Sequence, residues 1–102
     1  MRALRSWSER APFSTVDTSH DRVAPSECAV YRFFDRQGAL LYVGIAWNPG
    51  RRWERHKRES VWFKDARSAT VTVYRTEREA LTVERFAIRD EKPLHNKRSA
   101  IR

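Results

Sequence analysis

The sharpest anomaly in the sequence is an acid among apolar neighbours. Ala80, Glu84, Ala87 and Ile88 recur at three- and four-residue intervals, with Leu81 and Val83 beside them. On a helix that spacing puts Glu84 on the apolar stripe, facing the core side. A bare carboxylate there is costly unless it is paired or holds a cation. Glu84 is therefore a candidate metal ligand, although an ion pair with an arginine such as Arg52 would also satisfy it. Arg52 and His56 stand four apart, so one helical face carries both. A guanidinium can clamp a phosphate through two parallel hydrogen bonds, and an imidazole can move a proton or hold a phosphate oxygen. Arg51, Arg55, Lys57 and Arg58 crowd the same segment, opposed by Glu54 and Glu59. Such a run suits nucleic-acid binding, and it suits a plain solvated face as well.

Two phenols form another candidate group. A turn centred between Arg36 and Gln37 sets Tyr31 opposite Tyr42, Phe33 opposite Leu40 and Ala29 opposite Gly44. The tyrosines would then share one face of a hairpin, beside a glycine whose missing side chain leaves room for a ligand. They would equally serve as core residues that stabilise the hairpin. Asn96 follows Pro93, Leu94 and His95, and its amide can hold a phosphate, a water or a backbone group.

The elements that must position these residues can be read in order. Residues 28–34 and 39–46 are apolar and strand-like, separated by the turn Asp35-Arg36-Gln37-Gly38. Asn48 caps a helix that opens with Pro49 and runs to about residue 60. Residues 61–63 form an apolar connector that packs on the sheet. Residues 69–75 alternate between two faces and are rich in β-branched types, predicting a third strand. Thr76 and Glu79 make a capping box for a second helix, which Pro93 ends. The expected fold is α+β, β-β-α-β-α, with a small three-stranded antiparallel or mixed sheet flanked by helices. Residues 1–26 show no sustained period and read as a weakly ordered arm, leaving 27–102 as the domain.

Composition limits the classes of function. A chain of 102 residues allows one compact domain. No apolar run reaches the length of a membrane-spanning helix, and no secretory pattern opens the chain. Cys28 is the single cysteine, which excludes an internal disulfide and a cysteine-built zinc site and fits a cytoplasmic location. Lysine and arginine number 21 against 13 acids, a net charge of +8, and a domain this basic commonly meets a polyanion.

Taken together, these positions resemble the GIY-YIG nuclease family. The first family motif ends in tyrosine, matched by Ala29-Val30-Tyr31. The second begins with tyrosine and ends in glycine, matched by Tyr42-Val43-Gly44, with ten residues between the tyrosines. The helical arginine and the His or Tyr four later match Arg52 and His56. The "A-L-x-x-E" glutamate matches Glu84, and the asparagine after "K-P" matches Asn96. The sequence departs from the family at Ala29 and Val30, where the family name has Gly and Ile, and at Ile45, where several members carry a lysine near the phosphate. It is similar to the N-terminal incision domain of the bacterial excision-repair nuclease subunit, standing alone.

The resemblance implies hydrolysis of DNA phosphodiester bonds, duplex or branched, with one divalent ion, Mg²⁺ or Mn²⁺. Tyr31, Tyr42, Arg52, His56, Glu84 and Asn96 would form the catalytic set, with Glu84 the sole protein ligand of the metal. Tyr31, directly or through His56, would deprotonate the attacking water. Arg51, Arg52, Arg55, Lys57 and Arg58 would bind the nucleic acid, and a protein partner could supply targeting. The rival readings are a non-catalytic nucleic-acid-binding module, and a partner-dependent subunit of a repair or mobile-element complex. An RNA-recognition sheet is disfavoured because its aromatic signature is absent.

Overall fold

The computed structural model describes residues 2–14 and 23–96. Strands Arg5–Arg10 (β1), Cys28–Phe34 (β2), Leu40–Ala46 (β3) and Ser68–Tyr74 (β4) form one antiparallel sheet in the order β1-β4-β2-β3. Helix Pro49–Glu59 (α1) covers one face and helix Glu77–Glu91 (α2) the other, with a 3-10 turn at Phe63–Asp65. The α+β class and the β-β-α-β-α succession expected from residue 28 onward are present.

The sheet has four strands where three were expected. The added strand is β1, in a stretch expected to be weakly ordered. Its polar residues hide it from a hydrophobic-period reading, because an edge strand lying over the sheet rim buries little. Pairing with β4 supplies its backbone hydrogen bonds, and an Arg5–Glu27 ion pair ties it to the start of β2. The remainder of the expected arm lies partly outside the described residues.

The hairpin register also differs from expectation. Tyr31 faces Gly44, Phe33 faces Tyr42 and Ala29 faces Ala46. Two local features explain the shift. Gly38 takes φ 85°, so Asp35 pairs across the turn with Ala39, adding one residue to the β3 side. The Asp35 carboxylate accepts from the amides of Gln37 and Ala39, which holds that turn closed. A bulge between Phe33 and Phe34 adds a second residue. A shift of two preserves the face, so both tyrosines still project toward α1.

Both helices start as the sequence predicts. The Asn48 side chain accepts from Arg51 N at 3.1 Å, and the Thr76 hydroxyl accepts from Glu79 N at 3.2 Å. Lys92, at φ 52°, ends α2 in the left-handed region. The chain then runs back along the open edge of β3, where Leu94 N and His95 N donate to Leu40 O and Leu41 O. That run covers backbone groups that an edge strand would leave exposed. Among the described residues no helix is long and apolar enough to cross a membrane.

Candidate active site

Tyr31 is fully buried, and its phenol lies across Gly44. A Cβ placed on Gly44 would stand 2.5 Å from the Tyr31 hydroxyl oxygen. The missing side chain therefore makes room for this phenol, not for a ligand as the expected register implied. From there the Tyr31 hydroxyl meets His56 Nε2 at 2.7 Å. His56 Nδ1 meets the Ser60 hydroxyl, also at 2.7 Å. The three side chains form a continuous chain of hydrogen bonds from the sheet to the end of α1.

The helix register makes this possible. Trp53, 1% exposed, anchors α1 in the aromatic core against Phe33 and Tyr31. His56 follows on the buried side, with Arg52 one turn earlier and Ser60 one turn later. Tyr42, half-buried, stacks on Trp62 at 4.8 Å between centroids and meets the His56 ring edge-on at 4.9 Å. Trp62, from the expected apolar connector, is thus the floor of the site.

The environment decides the charges. Burial, helped by Arg52 and Arg55 and opposed by Glu59, pushes the His56 pKa down to about 4, so the imidazole is neutral near pH 7. Burial, with Tyr42 and Glu84 nearby, pushes the Tyr31 pKa well above the ordinary phenol value, against the pull of the Arg52 guanidinium. Burial also raises the Glu84 pKa, against the pull of Arg85 and Arg52. Glu84 is half-buried, as its place on the α2 stripe predicted, and makes no direct hydrogen bond or ion pair with a described residue. An Arg52–Glu84 ion pair is not formed; the two groups interact only electrostatically.

A cleft of about 360 Å³ opens over these groups, lined by Tyr42, Arg52, His56, Ser60, Trp62 and His95, among others. A second cavity of about 500 Å³ lies along the outer side of α1, where Arg51, Arg52, Arg55 and Arg58 form one wall. Lys57 stands apart from them. It lines a different hollow, with Phe63, Lys64 and Arg67. Arg55 and Arg58 pair with Glu59 and Glu54 at 3.1 and 3.3 Å in exposed i,i+4 contacts. Such exposed pairs are weak and yield readily to a phosphate.

Asn96 is buried, and both ends of its amide engage one residue of β3. Its Oδ1 accepts from Val43 N at 2.9 Å, and its Nδ2 donates to Val43 O at 3.0 Å. Of the three roles open to it, holding backbone is the one seen. Because Val43 lies between Tyr42 and Gly44, Asn96 fixes the strand that carries the site. Neither Ser60 nor Trp62 was read from the sequence as a site residue. Ser60 had a signal, since it stands four after His56 on the same helical face.

The result is a small α+β domain whose aromatic floor, cationic wall and neutral Tyr–His pair suit a phosphate ester. A family model described as the UvrC-like GIY-YIG domain matches residues 27–97, most of the chain, and the chain belongs to that family of nucleases. The match begins after β1, which adds an edge strand to the family's part of the sheet. No curated protein and no solved structure matches the chain.

Proposed function

We propose that the chain is a metal-dependent endonuclease that hydrolyses DNA phosphodiester bonds. The observation that carries this reading is the meeting of Tyr42, Arg52 and His56 at one cleft, with buried Tyr31 hydrogen-bonded to His56 beneath it, and a half-buried Glu84 carboxylate, unpaired among the described residues, electrostatically linked to Arg52 and Tyr31. Among the described residues no three His, Cys, Asp or Glu side chains gather as a metal cage. A lone half-buried carboxylate fits a hard cation that keeps its waters and shares the substrate's oxygens. Glu84 would hold one such ion, Mg²⁺ or Mn²⁺, which when bound supplies positive charge to offset that developing on the phosphate oxygens.

The chain's own residues then divide the work. Arg52 clamps the scissile phosphate and Tyr42 orients it from the cleft wall. The attacking water loses its proton as its oxygen bonds to phosphorus and the bond to the leaving oxygen breaks, and that oxygen takes a proton from solvent water to leave as the alcohol. The attacking water's proton passes to the Tyr31 oxygen while the phenol's own proton crosses to His56 Nε2. Burial opposes a phenolate, so the charge ends on His56, whose Nδ1–H donates to Ser60. An anionic phosphate beside the ring favours the imidazolium and raises its basicity above that of the free protein.

The test is nicking of supercoiled DNA with Mg²⁺ by wild type and Glu84→Gln. The variant is expected to cut about 100-fold more slowly or worse, the scale of losing one transition-state charge contact, while still binding DNA. Wild-type cutting by Glu84→Gln overturns the metal assignment. Wild type that binds DNA yet cuts no substrate with either metal would favour the non-catalytic reading.

A further inference from the structure

Trp47 follows β3 directly, three residues past Gly44, and is 54% exposed. Exposed indoles are costly, and this one does not stand in an apolar patch. It lines the cavity walled by Arg51, Arg52, Arg55 and Arg58. Arg52 and Arg55 also line the cleft over Tyr42 and His56, so the two hollows share a wall. A sugar–phosphate backbone whose scissile phosphate sits on Arg52 can therefore continue along the arginines and bring its neighbouring nucleotide to Trp47. The other aromatic rings of the site are already engaged, as Tyr42 and Trp62 stack on each other. Phe86, exposed on α2, is covered by the Arg89 guanidinium at 4.7 Å.

We propose that Trp47 is a stacking platform for an unpaired base next to the cut, so that the preferred substrate is DNA with a single-stranded segment at the scissile phosphate, such as a fork or flap. The inference rests on the nuclease reading for the place of the scissile phosphate. Its physical basis is that every base offers a π-face once it leaves the duplex, and an aromatic ring beside cationic side chains binds that face whatever the sequence. In an intact duplex both faces of each base are occupied by neighbours, so Trp47 has nothing to stack on. Duplex binding then depends on the arginines alone.

The experiment measures binding without metal, in EDTA, so that catalysis plays no part. Labelled forked and fully paired oligonucleotides of equal length are titrated with wild type, Trp47→Ala and Trp47→Phe. Wild type should bind the fork more tightly. Trp47→Ala should lose about 5- to 100-fold on the fork, the ratio given by stacking one base, and change little on the duplex. Trp47→Phe should recover part of the loss, and fork binding should quench indole fluorescence in wild type more than in Trp47→Phe. Equal losses on both DNAs, or no loss on the fork, overturn the proposal and leave the nuclease reading intact. So does a wild-type dimer in solution that Trp47→Ala converts to monomer, since the indole would then serve a second copy of the chain. If wild type binds neither DNA, both readings fall together.

Discussion

On the α1 side of the sheet the core is aromatic: Tyr31, Phe33, Trp53 and Trp62 are buried, with Phe13, Tyr42 and Phe63 against them. On the α2 side it is made of smaller groups, Cys28, Val30, Val43, Ala80 and Ala87, together with the ring of Tyr74. Small side chains let α2 lie close, and the bidentate Arg32–Glu91 pair at 2.8 and 2.9 Å clips its end to β2. Burial on that side makes Cys28 inert, pushing its thiol up to about 11. The aromatic side works differently. Rings give a wide apolar body with a polar tip, so the tips of Tyr31 and His56 can meet inside a packed core. The arrangement has a cost, seen at Trp53, whose buried indole N–H has no hydrogen-bond partner among the described residues. The contrast teaches that the α1 face joins packing to a polar Tyr31–His56 pair at a cleft, while the α2 face is mainly apolar packing and carries one half-buried carboxylate, Glu84, electrostatically coupled to Arg52 and Tyr31.

Tyr31→Phe strikes the contrast hardest. It keeps the ring and removes the hydroxyl, so the core survives while the path to His56 breaks. Cutting should fall about 10²- to 10⁴-fold, the range of lost proton-transfer assistance, with far-UV circular dichroism unchanged. Near-wild-type cutting would mean the Tyr31–His56 contact is only structural. Asn96→Ala comes next. It leaves the N–H and C=O of Val43 without partners, and urea melts should show a loss of about 1–3 kcal/mol. A smaller loss would show that water replaces the amide at the β3 edge.

The pH response should divide the faces as well. The folded His56 pKa of about 4 lies below the unfolded value near 6.5. Neutral His56 therefore favours the fold fully above about pH 6.5, and that contribution is lost as pH falls toward 4. Stability measured across this window should drop more steeply for wild type than for His56→Gln. Equal slopes would mean the ring is not held neutral. The mildest change is Ala87→Gly on α2, expected to cost about 1 kcal/mol through helix propensity, without altering cutting per folded molecule. A fall in that specific activity would show that the α2 packing reaches the chemistry after all.

Local rules made most of the elements legible. Asn48-Pro49 and the Thr76–Glu79 box announced both helices, and three short runs, two apolar and one alternating between faces, announced three strands. Glu84 and the Arg52–His56 spacing followed from helical geometry alone, which depends only on neighbours in the chain. What escaped was set by contacts distant in sequence. β1 is held by β4 and by Glu27, and nothing in its own polar residues requires it. The hairpin register turned on a left-handed Gly38 and a bulge, each moving the pairing by one residue.

The amino-acid sequence by itself determined the helix starts, the strand faces and the residue types of the site, because those follow from periodicity and capping. Only the tertiary structure decided that Gly44 houses a phenol, that Asn96 serves the Val43 backbone, and that Ser60 and Trp62 join the cleft. Each of those outcomes depends on packing across the sheet, where burial, and not chain order, selects the partner and sets the charge.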